Sequence, residues 1–267
     1  MHWHCHELFN RMPPGAVAGG IAVVIDVLRA STTIVTALAN AASRIRPVPA
    51  VAEAQALAEA AGAGRPLLGG ERGGLRIAGF DLGNSPLEYS PAAVAGREII
   101  VTTTNGTAAL KACLDADEVL VGAIVNRTAV ARLARDLARR RGATDIHLVC
   151  AGTDGHVTEE DLLAAGAILE AAARLPGGAD DFLEPPAAAA RADFCRVVGQ
   201  TADPQAAIVT AFAASRGGSN LLALGMEADL PAAAAIDTTT VVPRLEPATG
   251  WLVAALRDAA IPAERPH

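Results

Sequence analysis

Aromatic residues are scarce in this chain: five Phe, two Trp and one Tyr make up 3% of its 267 residues. A core must therefore be filled by Ala, Val, Leu and Ile, and a hydrophobic content of 51% supplies ample material for one. Cysteine is scarce as well. Cys5, Cys113, Cys150 and Cys195 are widely spaced and include no Cys-x-x-Cys pair, which excludes a disulfide framework and a zinc site of the usual spacing. Positive charge is in deficit: 22 Lys and Arg against 29 Asp and Glu leave a net charge of −7, the wrong sign for a nucleic-acid binder. The basic run Arg139-Arg140-Arg141 closes a predicted helix, where cations suit the negative end of the dipole. No segment reaches the ~18 uninterrupted apolar residues of a membrane span. The N-terminus carries histidines and Glu7 where a signal peptide needs a basic and then an apolar stretch. The chain is expected to be soluble and cytoplasmic, with no nucleic-acid or membrane partner. A homodimer is expected from the prevalence of two-fold assemblies.

What is present is a repeated alternation of strand and helix patterns. His2 to His6 alternates as a short strand, its histidines on a solvated face, because no acidic or cysteine ligand stands at matching spacing. Ile21-Ala22-Val23-Val24-Ile25 is a continuous apolar run, as expected of a strand buried on both faces. A helical pattern follows over 31–40, then a strand over 44–48 and a helix over 51–61 ended by Gly62. Further strands are predicted at 98–101, 118–121 and 146–150, with helices at 106–114, 128–141 and 158–174. Such alternation implies βαβ units, hence a three-layer α/β/α fold around a mainly parallel sheet. One α/β domain over 1–267 is expected, since no linker marks a second; from about residue 176 the pattern weakens and its helices are hard to delimit. In parallel sheets ligands bind at the carboxyl ends of strands, which directs attention to the residues that follow each strand.

Four such segments carry chemistry. Asp26 to Thr33 places a carboxylate, the Arg29 guanidinium and three hydroxyls where strand turns into helix. A helix start attracts phosphate, and an aspartate there repels it unless a cation such as Mg²⁺ lies between them; a plain capping role for Asp26 is the alternative. Gly69-Gly70-Glu71-Arg72-Gly73-Gly74 surrounds one acid–base pair with glycine. Glu71 could ligate a metal and Arg72 could fork onto an oxyanion, or the segment could be a solvated surface hairpin. Thr103, Thr104, Asn105 and Gly106 make a neutral turn of N–H and O–H donors for an anion, unless they only cap the helix. That turn lacks the lysine and spacing of a P-loop, which disfavours a nucleoside triphosphatase. Cys150 to His156 leads to Glu159, Glu160 and Asp161, acids that suit a helix start and of which one could be a metal ligand or base. Cys150 itself reads as a small buried thiol; the Cys-x₅-Arg loop of thiol-dependent phosphatases is absent.

The strings VVIDVLRASTTIVTALANAA (23–42), LLGGERGGLRIAGFDLGNSPLEY (67–89), IVTTTNGTAAL (100–110), VLVGAIVNRTAVA (119–131) and VCAGTDG…EEDLLAAGAI (149–168) resemble the 2-phosphosulfolactate phosphatase family, as does SRGGSNLLALGMEADLPAAAAIDTTTVVPRL (215–245). The resemblance implies Mg²⁺-dependent hydrolysis of a small anionic phosphate ester, 2-phospho-3-sulfolactate, to 3-sulfolactate and phosphate on the way to coenzyme M. By matching position it implies Asp26, Glu71, Asp81, Glu160 and Asp161 as the acidic residues of the site. The polar ones are Arg29, Arg72, Thr103, Thr104, Asn105 and Asn126. In the resulting reading Asp26, Glu71, Asp81 and Glu160 hold Mg²⁺, while Asp26, Arg29, Arg72 and Asp161 carry the catalysis. Thr103, Thr104, Asn105, Gly106 and Asn126 bind substrate. The chain departs from the family in its opening segment and at Val157-Thr158, where the family tends to have Phe-Ser. Two other readings stand beside this one: a phosphatase acting on a different small phosphorylated hydroxy acid, and a non-catalytic small-anion binder.

Overall fold

The computed structural model describes residues 1–199 and 201–255. The first half contains β1 (His2–His6), β2 (Ile21–Ile25), α1 (Ala30–Ala39), β3 (Arg44–Pro47), α2 (Val51–Ala60), β4 (Leu67–Arg72), β5 (Leu75–Arg76), α3 (Pro91–Val94), β6 (Glu98–Thr102), α4 (Gly106–Ala112) and β7 (Glu118–Val121). The second half contains α5 (Arg127–Arg141), β8 (Asp145–Cys150), α6 (Glu159–Ala173), β9 (Phe182–Leu183), α7 (Pro185–Val198), α8 (Pro204–Ala214), α9 (Arg216–Ala223), α10 (Asp229–Ala234), β10 (Pro243–Glu246) and β11 (Trp251–Ala254).

The fold is α/β, and its strands form one mixed, mainly parallel sheet in the order β5-β4-β6-β3-β11-β10-β7-β2-β8-β1-β9. Two groups within it are parallel: β4-β6-β3, and β7-β2-β8-β1-β9. The antiparallel hairpin β10–β11 lies between them, pairing β7 through Arg244↔Leu120 and β3 through Leu252↔Ile45. Every residue of β2 is buried, which is why that segment reads as a continuous apolar run with no alternation.

With so few aromatics, Ile, Val, Leu and Ala fill most of the core, and Trp3, Tyr89, Phe194 and Phe212 are its largest fully buried side chains. The polar ends of the first two find partners: Trp3 Nε1 donates to Asp181 (2.9 Å) and the Tyr89 hydroxyl to Gly83 O (2.8 Å).

Two regions differ from the sequence expectation. The glycine-rich stretch 67–76 is a strand and a hairpin of the sheet, β4 pairing with β6 from Leu67↔Ile99 to Gly70↔Thr102. Glycine suits it there because β4 runs close over its neighbours. The histidine face of β1 is not simply solvated. His4 bonds Asp145 of β8 (2.7 Å), and His6 meets the buried His147 (3.1 Å) in a stack of rings. Their acidic partner comes from the neighbouring strand, which spacing within β1 cannot reveal. Among the described residues no helix is long and apolar enough to cross a membrane.

Candidate active site

Asp26 leaves β2 at its carboxyl end. Its Oδ1 accepts the Ala30 N–H (3.2 Å) and its own N–H donates to Ser31 Oγ (2.6 Å), so the start of α1 fixes the carboxylate in place. Across from it the N-terminus of α4 approaches closely. A Cβ on Gly106 would stand 2.7 Å from the Ala30 methyl and 2.8 Å from Asp26 Oδ2, so only glycine fits.

Two further acids tie strand exits together. Asp161 accepts Val27 N–H (2.8 Å) on one oxygen and Gly152 N–H (2.9 Å) on the other, linking the ends of β2 and β8. Glu71 accepts Thr104 N–H (2.8 Å) and Gly74 N–H (2.8 Å), linking the β4–β5 hairpin to the end of β6. Both carboxylates are therefore committed to backbone donors.

Glu160 is different. Its Oε1 accepts Gly217 N–H (3.1 Å), while its Oε2 is buried with no hydrogen-bond partner. The nearby Ser215 hydroxyl donates to Phe212 O (2.7 Å). A Cβ on Gly217 would lie 2.2 Å from Glu160 Oε1, so the start of α9 also needs glycine to reach the acid.

Asp26 and Glu71 open on a cavity of about 400 Å³, lined also by Arg29, Thr104 and Asn105 on its polar side and by Leu28, Leu221 and Leu224 on an apolar one, while Glu160, Asp161 and Gly106 stand behind this lining. Asn84, Thr153, Asp154 and Asn220 also line it. Strands of both parallel groups thus deliver their carboxyl ends to one place. The acids repel one another in this partly buried site. Burial is the main cause that pushes Asp26 up to about 7, with Glu71 and Glu160 adding to it and the Ala30 N–H and Arg29 opposing it. Burial also raises Glu160, and raises Asp161 well above the usual carboxylate range, where Asp26 and Glu160 add repulsion.

Among the described residues no three His, Cys, Asp or Glu side chains form a ready-made metal-binding group. The donor set suits Mg²⁺ all the same, since that ion is usually held by one or two carboxylates and completes its shell with water and phosphate oxygens. Asp26, which lines the cavity, and Glu160, whose buried Oε2 has no partner, are the carboxylates that would hold it.

The structure does not bring every candidate to the cavity. Asp81 pairs with Arg65 (2.6 Å) and accepts Leu68 N–H (2.8 Å), outside the lining. Arg72 donates to Glu71 O (2.6 Å) and Thr102 Oγ1 (2.9 Å), bracing β4 against β6. Asn126 is fully buried, accepting Ala123 N–H (2.9 Å) and donating to Val241 O (3.0 Å), which fastens the exit of β7 to the C-terminal segment. Thr103 caps α4, its Oγ1 accepting Thr107 N–H (3.2 Å). Cys150 is a buried thiol whose pKa is raised, first by its contact with Cys5 and then by burial, as suits a core residue.

Sequence reasoning missed Asp229. It lies in α10 with only 2% of its surface exposed, and accepts from Arg29 Nη1 (2.8 Å) and Ser85 Oγ (2.5 Å). The available signal was a lone acid inside the otherwise apolar Leu, Pro and Ala residues of 229–235.

Comparison with known proteins fits this geometry. Over 238 residues the chain is 42% identical to a protein of Symbiobacterium thermophilum named probable 2-phosphosulfolactate phosphatase, spanning 88% of this chain and 95% of that one. A protein of the same name from Deinococcus radiodurans is 42% identical over 89% of this chain and 92% of its own length. A third, from Gloeobacter violaceus, is 40% identical over 87% and 90%. The family model for 2-phosphosulpholactate phosphatase matches residues 8–248, a span that takes in every segment lining the cavity. The chain belongs to the 2-phosphosulpholactate phosphatase family.

Proposed function

We propose that this protein is a cytoplasmic, Mg²⁺-dependent phosphatase that hydrolyses 2-phospho-3-sulfolactate to 3-sulfolactate and phosphate. The observation that carries the reading is the Asp26 carboxylate, which lines a cavity that also presents Arg29, with the buried and unpartnered Glu160 Oε2 close enough to it for the two acids to repel. Buried acids without partners are costly, and a cation shared with a phosphate ester relieves them.

Asp26 and Glu160 would hold the metal. Bound there, Mg²⁺ supplies charge for the phosphoryl oxygens and lowers the pKa of an attacking water. The chain's own groups do the rest. Arg29 donates to the phosphoryl oxygens in a forked manner. The Thr104 hydroxyl and the Asn105 amide, which also line the cavity, offer neutral donors. Asp161 and Glu71 act as braces, holding the strand exits that carry Asp26 and Thr104.

The test is phosphate release from racemic 2-phospho-3-sulfolactate, with Mg²⁺ and then with EDTA, on the wild type and Asp26→Asn. Turnover should need Mg²⁺ and fall by about 10²–10³-fold or more in the variant, the scale for losing one preorganised transition-state contact. Equal turnover of phospholactate would move the substrate to another phosphorylated hydroxy acid. Tight phosphate binding without turnover would make the protein a binder.

A further inference from the structure

Arg29 is the cation of the cavity, yet most of its guanidinium is engaged by the protein. Nη1 donates to Asp229 Oδ2 (2.8 Å) and to Met226 Sδ (2.9 Å), and Nη2 donates to Gly74 O (2.5 Å). Of the five N–H donors that arginine carries, Nε–H and one on Nη2 therefore have no partner among the described residues. Asp229 is held in turn by Ser85 Oγ (2.5 Å). The side chains of Arg29 and Asp229 are each 3% exposed, so water does little to loosen the pair. Three remote segments meet here: the tip of the β4–β5 hairpin at Gly74, Ser85, and the α10 region with Met226 and Asp229.

A buried ion pair is weak evidence for stability, because desolvation offsets the attraction. Orientation is a better account of this one. Arginine has a long, flexible stem, and its fork recognises a phosphoryl group only when its plane is fixed. We propose that Asp229 is the positioning residue of this site: with Ser85 behind it, it locks the Arg29 guanidinium so that the two unpartnered donors face the phosphoryl group. The proposal rests on the reading of Arg29 as the phosphoryl contact, which the experiment below tests separately.

Asp229→Asn keeps the shape and removes the charge. In the full-length protein with Mg²⁺ and 2-phospho-3-sulfolactate, kcat should fall by about 10–100-fold with KM changed less than about threefold, since the cation remains but is no longer aimed. Ser85→Ala, which removes only the support behind Asp229, should lower kcat by about 3–10-fold, in proportion to the loss of one hydrogen bond. The deciding measurement is a double-mutant cycle. In an Arg29→Ala background, both substitutions should change kcat by less than about twofold, because a residue that acts through Arg29 has nothing left to act on. A purely structural Asp229 would cost the same in both backgrounds, and that result overturns the proposal. If Asp229→Asn does not fold, the Ser85→Ala arm of the cycle decides alone. If Arg29→Ala leaves kcat/KM at the wild-type value, Arg29 is not the phosphoryl contact, and both readings fall together.

Discussion

Two buried carboxylate regions of this molecule have opposite fates. Asp181, just before β9, is 5% exposed at its side chain and accepts from the N-terminal ammonium (3.0 Å), Trp3 Nε1 (2.9 Å) and Arg135 Nη2 (3.2 Å). Arg135 also donates to Pro176 O (3.2 Å) and Gly177 O (2.7 Å), so the cluster joins α5 to the sheet edge; its Nε faces Asp181 Oδ2 at 3.2 Å as an ion pair without a hydrogen bond. At the cavity Asp26 is half-buried, and Glu160 lies buried behind it; neither has an arginine bonded to it, and one Glu160 oxygen has no partner at all. The protein meets the needs of the first carboxylate internally and leaves those of the other two open. An acid of the first kind serves as a fastening, and acids of the second kind mark where a ligand completes the structure.

The largest expected effect lies in the Asp181 cluster. Arg135→Met removes one of the two cations that face Asp181, leaving the N-terminal ammonium, and should lower stability in urea unfolding by about 3–5 kcal/mol, the usual cost of removing one partner of a buried pair. Phosphatase kcat/KM of the folded fraction should stay within about twofold, as expected of a change remote from the chemistry. A kinetic loss with no loss of stability would erase the contrast.

The open region predicts a smaller effect that depends on pH. Asp26 has its pKa raised from an ordinary 3.8 to about 7 in the folded state. Its contribution to stability is thus fully present below about pH 4 and is lost as pH rises through about 7. In EDTA, stability should decline between pH 5 and pH 8 by on the order of 3 kcal/mol from this group, and Asp26→Asn should reduce that decline, the raised Glu160 and Asp161 carboxyls keeping the remainder. An undiminished slope in the variant would assign it wholly to those other groups.

The smallest effect concerns Asp81. Its pair with Arg65 is partly exposed, at 28% and 45% of the two side chains, and such pairs contribute at most about 1 kcal/mol. Asp81→Asn should leave kcat/KM within about twofold, and its Mg²⁺ dependence unchanged, as for surface substitutions generally. A Mg²⁺-dependent loss would bring Asp81 back among the metal ligands.

The parallel strands β2, β6, β7 and β8 were legible because each is a short apolar run followed by a turn and a helical pattern, as at Ile21–Ile25 and Asp145–Cys150, whereas β4 and β9 read as loop. The rule that ligands gather at strand ends then found Asp26, Glu71, Thr104 and Asn105, which do line the cavity. The C-terminal hairpin was hidden for a physical reason. β10 is four residues long and carries Pro243, Arg244 and Glu246, yet it sits inside the sheet because Arg244 forks onto Glu118 of β7 (2.6 and 2.7 Å). A strand that is matched by charge leaves no apolar signature. Asp229 was hidden by distance: its meaning depends on an arginine 200 residues away. Asp81 and Asn126 came only from resemblance, and the structure gives them local scaffolding bonds.

The place of that hairpin also bears on synthesis. β3 and β7 lie in the first half of the chain, but the strands that join them are made more than a hundred residues after β7. A nascent chain on the ribosome therefore carries two half-sheets with facing open edges until Pro243–Ala254 emerges. Unpaired strand edges invite pairing with other chains. Slow translation through the 176–240 region should accordingly prolong exposure to aggregation, and the last strands would close the sheet late.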